Sequence, residues 1–308
     1  MRHQITIKER GARMWRRFVV SVSTTGSRSQ RSSIYMAKTW VKGVPMKLRA
    51  GEFSFNVMDN GSGEPTLLFL HYWGGSARTW NAVISELSAN FRCIAYDQRG
   101  WGQSDAPEQG YSIRDLALDA RNIVEALDLR RYVLVGHSMG GKVSQFLASQ
   151  RPPGLVGLVL VAPATPTPQK IPEAAKQAQL HAYDSRENAL QAMAFLTAFP
   201  PSNTLRDQIL ADNFAASPRA KLAWPTSSAY EDISGAVVNI NVPTLIVAGD
   251  QDRQDPLEQH RREVLPRIPG ASIEVIHNSG HLIPIDQPHQ LAEVIRVFVP
   301  TLAKVGEG

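Results

Sequence analysis

The stretch that decides the fold reads Val133-Leu134-Val135-Gly136-His137-Ser138-Met139-Gly140-Gly141. An apolar β-branched run ends in Gly-x-Ser-x-Gly, and a helical pattern follows from Lys142 to Ser149. The order predicted is strand, sharp turn and helix, with a serine at the apex. Only small residues fit two positions either side of such a turn, so Gly136 and Gly140 are there for close approach. The hydroxyl is pushed out at the C-terminal edge of a parallel sheet. The N–H of Met139, in the first turn of the helix, faces the same space. Gly-x-Ser-x-Gly alone occurs by chance in many chains; the strand before it and the helix after it make it specific.

The same rhythm extends outward from the serine. Met46 to Ala50 and Phe53 to Asp59 alternate and predict a hairpin. Thr66 to Leu70 is a continuous apolar run, as in a strand buried on both faces, and His71-Tyr72-Trp73-Gly74-Gly75 follows it. A helix is expected from about Thr79 to Ser88, then a strand from Arg92 to Tyr96 that runs into the turn-rich Asp97-to-Ser104 loop. Ser112 caps a helix with apolar positions at Leu116, Ile123, Val124 and Leu127. A further strand spans Leu155 to Val161. Strands alternating with helices at this spacing imply a parallel sheet with both faces covered. Pro163 to about Ala236 breaks the rhythm with three helical segments, near Pro172–Ala182, Arg186–Phe199 and Leu205–Phe214. Such a block predicts a helical lid at about 163–236, over the C-terminal edge. Strand rhythm resumes at Thr244 to Ala248 and at Ser272 to Ile276, and a last amphipathic helix runs from about His289 to Val299.

Composition narrows the function classes. With 308 residues, 43% of them hydrophobic, the chain is long enough for a large core. No apolar run approaches the roughly 18 residues that span a bilayer. The net charge of +5 is concentrated in residues 1–35, which hold eight Lys/Arg and one acid. The remainder has 25 basic and 27 acidic residues, so no nucleic-acid surface is expected. Residues 1–35 are expected to be a disordered basic tail, and residues 36–308 the folded domain. The single cysteine, Cys93, cannot form an internal disulfide, which fits a cytoplasmic protein. There is no zinc-type Cys/His spacing and no phosphate loop, so neither metal nor cofactor is expected. Oligomeric state is not legible.

A serine hydroxyl is a poor nucleophile at neutral pH and needs a base, itself usually oriented by an acid. In parallel sheets ligands sit beyond the carboxyl ends of the strands. Two later strand ends offer partners: Gly249-Asp250-Gln251-Asp252 and His277-Asn278-Ser279-Gly280-His281. Spacing alone leaves both aspartates open.

The chain resembles the α/β-hydrolase superfamily from about Met46 to the C-terminus. The resemblance rests on Gly136-His137-Ser138-Met139-Gly140-Gly141, on Asp97-x-Arg99-Gly100-x-Gly102-x-Ser104, on Pro243-Thr244 leading to Gly249-x-x-Asp252, and on Gly280-His281 before Pro284 and Pro288. It implies an α/β fold with a mostly parallel eight-stranded sheet, helices on both faces and an inserted lid. It implies Ser138 as nucleophile, His281 as general base and Asp252 as orienting acid, in preference to Asp250. It implies the N–H groups of Trp73 and Met139 as oxyanion donors, with Tyr72 standing where related hydrolases have glycine. Tyr72, Trp101, Phe195, Phe199 and Trp224 are candidate pocket residues. His71, His137 and His277 are expected to be structural histidines, and Arg99 to sit in an ion pair. The activity implied is a serine hydrolase of small apolar carboxylic esters or lactones. Carbon–carbon bond hydrolysis or perhydrolysis on the same triad, and a ligand-binding receptor with a slow triad, are the alternatives.

Overall fold

The computed structural model describes residues 5–10, 17–22 and 44–302. The chain divides into two units, Met1–Lys42 and Gly43–Gly308. In the first, β1 (Ile5–Arg10) pairs antiparallel with β2 (Arg17–Val22). Of the expected disordered tail, these two paired strands are described, and the rest lies outside the described residues. The β-branched runs Ile5-Thr6-Ile7 and Val19-Val20 carry strand propensity in windows too short for a periodic signal.

The second unit is built on one eight-stranded sheet of order β10-β9-β8-β7-β5-β6-β4-β3. Its strands are β3 (Met46–Ala50), β4 (Phe53–Asn60), β5 (Thr66–Leu70), β6 (Cys93–Tyr96), β7 (Tyr132–His137), β8 (Leu155–Val161), β9 (Thr244–Gly249) and β10 (Ser272–Ile276). Only β4 runs against its neighbours β3 and β6; the other pairings are parallel. The central strands β5, β7 and β9 are buried at every residue, as their unbroken apolar runs predict. Alternate side chains of β7 feed two cores. Tyr132 and Leu134 pack on one face with α2 (Ile113–Ala126) and α3 (Met139–Ser149). Val133 and Val135 pack on the other with α1 (Asn81–Leu87) and the C-terminal helix Pro288–Thr301. Each such fully buried aliphatic side chain contributes roughly 1.5–3 kcal/mol.

Between β8 and β9 the chain leaves the sheet for four helices of eight or more residues, α4 (Glu173–Leu180), α5 (Arg186–Leu196), α6 (Asn203–Ala215) and α7 (Pro218–Thr226), and a single short turn of helix at Ser234–Val237. The sequence predicts three. The fourth carries Trp224 beside Pro225, whose ring reads as a helix breaker; Pro218 at its start and the Ser217 cap on Ala220 N–H secure its first turn.

The chain steps from β5 outward to β6 and then back across to β7, so β5 and β7 form the switch point where parallel sheets bind ligands. The turn from β7 to α3 lies against the end of β5. A Cβ on Gly140 would stand 2.5 Å from the Leu70 carbonyl oxygen and 2.7 Å from that of His71. One on Gly136 would stand 2.4 Å from the Gly140 carbonyl oxygen. These obstacles are backbone, so the sheet must shift to admit a methyl group. Gly140→Ala is expected to lower unfolding free energy by about 1–3 kcal/mol, the usual cost of overpacking. Gly235→Ala, whose Cβ meets nothing within 4 Å, is the control and should leave stability level or slightly raised. Urea denaturation of the two variants beside the parent checks both.

Candidate active site

Ser138 sits at the strand–helix junction with φ 54° and ψ −114°, a conformation that L-residues adopt only under constraint. The constraint is visible in its bonds. Its N–H donates to Val161 O at 3.0 Å, and its carbonyl accepts from Ala164 N–H at 3.1 Å and Lys142 N–H at 3.0 Å. The hydroxyl is thereby held at the carboxyl end of β7, 2.8 Å from His281 Nε2. The opposite ring nitrogen, Nδ1, donates to Asp252 Oδ2 at 2.9 Å. Asp252 follows β9 and His281 follows β10, so side chains from three strand ends meet.

The other oxygen of Asp252 accepts the N–H groups of Gln254 at 2.8 Å and Asp255 at 2.9 Å. These bonds fix the carboxylate before any substrate arrives. Asp250 lies elsewhere: it accepts from His277 Nδ1 at 3.1 Å and from Ser279 N–H at 3.2 Å, and that His277 side chain is exposed. Of the two aspartates left open by spacing, Asp252 is the one the structure brings to His281. His281 is 2% exposed. Burial pushes its pKa down, but the charge and hydrogen bond of Asp252, with the charge of Asp255, more than offset this and hold it above the ordinary 6.5.

Two further histidines frame the site without entering it. His137 Nε2 donates to the backbone carbonyl of His281 at 2.8 Å, and burial keeps the ring neutral by pushing its pKa far down. His71 donates through Nδ1 to Tyr72 O at 2.7 Å and accepts Gln98 N–H at Nε2, at 3.0 Å. Burial lowers its pKa to about 4. Both are structural, as expected, and Arg99 sits in a buried ion pair with Asp119, also as expected.

The loop after β5 places Trp73 opposite the α3 N-terminus. Tyr183 Oη donates to Trp73 O at 3.0 Å, and the Trp73 indole donates to Lys221 O at 3.0 Å. The backbone N–H groups of Trp73 and Met139 donate to no protein acceptor among the described residues. Tyr72 adopts no left-handed backbone; that conformation falls on Gly74, with φ 102°. The tyrosine in place of glycine is thus accommodated, and its buried ring packs on His137 with centroids 5.2 Å apart.

A cavity of about 710 Å³ opens over Ser138 and His281, roofed by α4, α5 and α7. Tyr72, Phe195 and Trp224 line it, as expected. Trp101 and Phe199 do not. Trp101 is turned inward, its ring edge-on to His71 and Tyr183, in a cluster with the inserted helices. Phe199 lies beyond the end of α5 and is 52% exposed. Sequence reasoning missed Tyr183 and Arg253 on the cavity wall, and Asp255 beside His281. It also missed Lys142, whose buried amine donates to Ala229 O at 3.1 Å and Thr167 O at 3.3 Å, tying both stems of the insertion to α3. Only the Asp-Pro step at Asp255-Pro256, a turn former close behind Asp252, marked that loop as special.

Residues 67–294 match the alpha/beta hydrolase family. The chain belongs to that family. Among other alpha/beta hydrolases it is similar to a protein of Synechocystis sp. that carries a provisional non-heme chloroperoxidase name, with 31% identity over 73% of this chain and 87% of the relative. Of solved structures, an esterase from Exiguobacterium antarcticum shares the fold, with a TM-score of 0.77 and 24% identity, over 83% of this chain and all of the other. A thermophilic esterase from Thermogutta terrifontis superposes with a TM-score of 0.73 at 25% identity, covering 84% of this chain and 99% of its own. No helix among the described residues is long and apolar enough to cross a membrane.

Asp252→Asn should reduce turnover by orders of magnitude, since an amide cannot hold the imidazolium that forms at His281. Asp250→Asn should cost less than about threefold. Steady-state kcat of the two variants, side by side, checks the assignment, and reversed effects would refute it.

Proposed function

We propose that this alpha/beta hydrolase is a serine hydrolase of small, largely apolar carboxylic esters or lactones, working through an acyl-enzyme. The observation that carries the reading is the continuous hydrogen-bonded line from Ser138 Oγ through His281 to Asp252, opening on a mainly apolar cavity. Ser138 attacks the substrate carbonyl as its proton passes to His281 Nε2. The imidazolium is held by Asp252. The oxyanion lies between the N–H groups of Trp73 and Met139, each such donor supplying roughly 2.7–4 kcal/mol of transition-state stabilisation. The positive end of α3 adds to them. His281 then returns the proton to the leaving alcohol. Water, deprotonated by the same imidazole, releases the acid and restores Ser138. Every step uses side chains and backbone groups of this chain. The names of the two esterases give independent support for ester chemistry.

The chloroperoxidase name of the Synechocystis sp. relative favours one second reading. Hydrogen peroxide can replace water in attacking the acyl-enzyme. The acyl–Ser138 bond breaks, an acyl–peroxide bond forms, and the product is a peracid, with the displaced proton returned to Ser138.

Ser138→Ala is expected to fold normally and to lose ester turnover by about 10⁶-fold, the precedent for a triad nucleophile. A panel of chromogenic esters of graded acyl length, with lactones, measures it. A fluorophosphonate should label Ser138 in the parent and nothing in the variant. Because only neutral His281 accepts a proton, kcat/KM should fall with decreasing pH through a midpoint above 6.5. Equal turnover by parent and variant would overturn the proposal.

A further inference from the structure

Asp255 is a buried carboxylate beside the base that the mechanism above does not use. It follows Asp252 by three residues, and its side chain is 8% exposed. Oδ1 accepts Gln259 Nε2 at 2.6 Å. Oδ2 lies 3.9 Å from His281 Nδ1, the nitrogen that already donates to Asp252. The Asp255 N–H is bonded to Asp252 Oδ1 at 2.9 Å, so the two carboxylates are fixed relative to each other. The charged and titratable groups that act on Asp255 are Asp252 on its own loop, His281 from the loop after β10, and Lys142 from α3. Lys142 donates to the carbonyls of Thr167 and Ala229, and makes no ion pair with Asp255. His281 is therefore the cationic partner within 4 Å of this carboxylate once the ring is protonated.

We propose that Asp255 is a positioning residue for His281, a second carboxylate on the Nδ1 side whose negative charge adds to that of Asp252 and strengthens the base. The inference rests on the reading of His281 as general base. Two carboxylates in one buried site resist ionising together, so Asp255 gains its charge only over part of the working pH range. Burial first, and repulsion from Asp252, push its carboxyl up to about 7, against the attraction of His281 and Lys142. Below that range Asp255 is neutral and Asp252 alone faces the ring. Above it, both charges stabilise the imidazolium that forms in the transition state. The signs follow directly. Removing the Asp255 charge lowers the pH at which His281 becomes free to act, and weakens His281 as a base once it is free.

The experiment is the pH dependence, from 5 to 9, of Ser138 inactivation by an uncharged fluorophosphonate, for the parent and Asp255→Asn. Asparagine keeps an oxygen for Gln259. In the parent the acid limb should need two coupled ionisations. In the variant it should follow one, with its midpoint lower by about one pH unit, the low end of the effect of a charge at this distance. The plateau above pH 8 should fall severalfold, while the rates converge below pH 6. Asp255→Ala, which also loses the Gln259 bond, should move the midpoint in the same direction. A role confined to holding Gln259 would lower the rate equally at every pH in the alanine variant and leave the midpoint in place. Superimposable midpoints in parent and Asp255→Asn would overturn the inference while leaving the proposed function intact. Failure of the parent to be labelled at Ser138 would instead overturn the proposed function itself.

Discussion

The site depends on one hydrogen bond, 2.8 Å long, between side chains 143 residues apart: Ser138 Oγ to His281 Nε2. A neutral hydroxyl gains nucleophilicity only while its proton has somewhere to go, and a displacement of 1 Å at either end removes that route. The architecture meets this demand with the sheet. β7 ends immediately before the serine and β10 precedes the histidine, with β8 and β9 hydrogen-bonded between them. The registers of these parallel pairs set the two strand ends relative to each other. The bond from His137 Nε2 to the His281 carbonyl then ties the two loops together directly. The strained backbone of Ser138 is held by bonds to Val161, Ala164 and Lys142 on the surrounding elements. Strain at the apex is tolerable because the flanking strand and helix are buried almost throughout.

Electrostatics at the site follow from burial acting differently on acids and bases. Desolvation keeps His71, His137 and His260 neutral by lowering their pKa values, while it raises that of Asp255. His281 is as deeply buried but moves the other way, because it has a carboxylate in hydrogen-bond contact and a second one 3.9 Å away. His281, the base in the proposed function, is thus distinguished from its neighbouring histidines by the acids on the β9 loop. The N–H groups of Trp73 and Met139, which donate to no protein acceptor among the described residues, are the oxyanion donors in the proposed function and follow β5 and β7 at the switch point.

Much of this was legible in the sequence where a residue's identity is dictated by backbone geometry. Gly136 and Gly140 announce the turn because nothing larger fits, and the apolar runs of β5, β7 and β9 announce buried parallel strands. Ser138, His281 and the two candidate aspartates could be found because each stands at the end of such a run. Strand position alone left Asp250 and Asp252 open and the family resemblance preferred Asp252; what occupies Asp250, its pairing with His277, is invisible to spacing. Pocket residues were partly legible. Tyr72, Phe195 and Trp224 line the cavity, but Trp101 packs inward and Phe199 overhangs the end of α5, and hydrophobicity does not say which way a loop aromatic turns. Asp255 was missed because a loop has no period. Its closeness to His281 arises from the turn that caps Asp252. The strand pair Ile5–Arg10 and Arg17–Val22 escaped for a similar reason, since its strands are short and set in a polar, basic composition.

The central claim is that Ser138, activated by His281, forms a covalent acyl intermediate in this cavity. Rapid acid quench during turnover of a p-nitrophenyl ester, followed by mass spectrometry of the intact chain and its peptides, tests it most directly. The account predicts a transient mass increase equal to one acyl group, confined to the peptide that contains Ser138, and a burst of nitrophenol of matching amplitude. Turnover at full rate with no adduct at any quench time, or an adduct on a different residue, would contradict it.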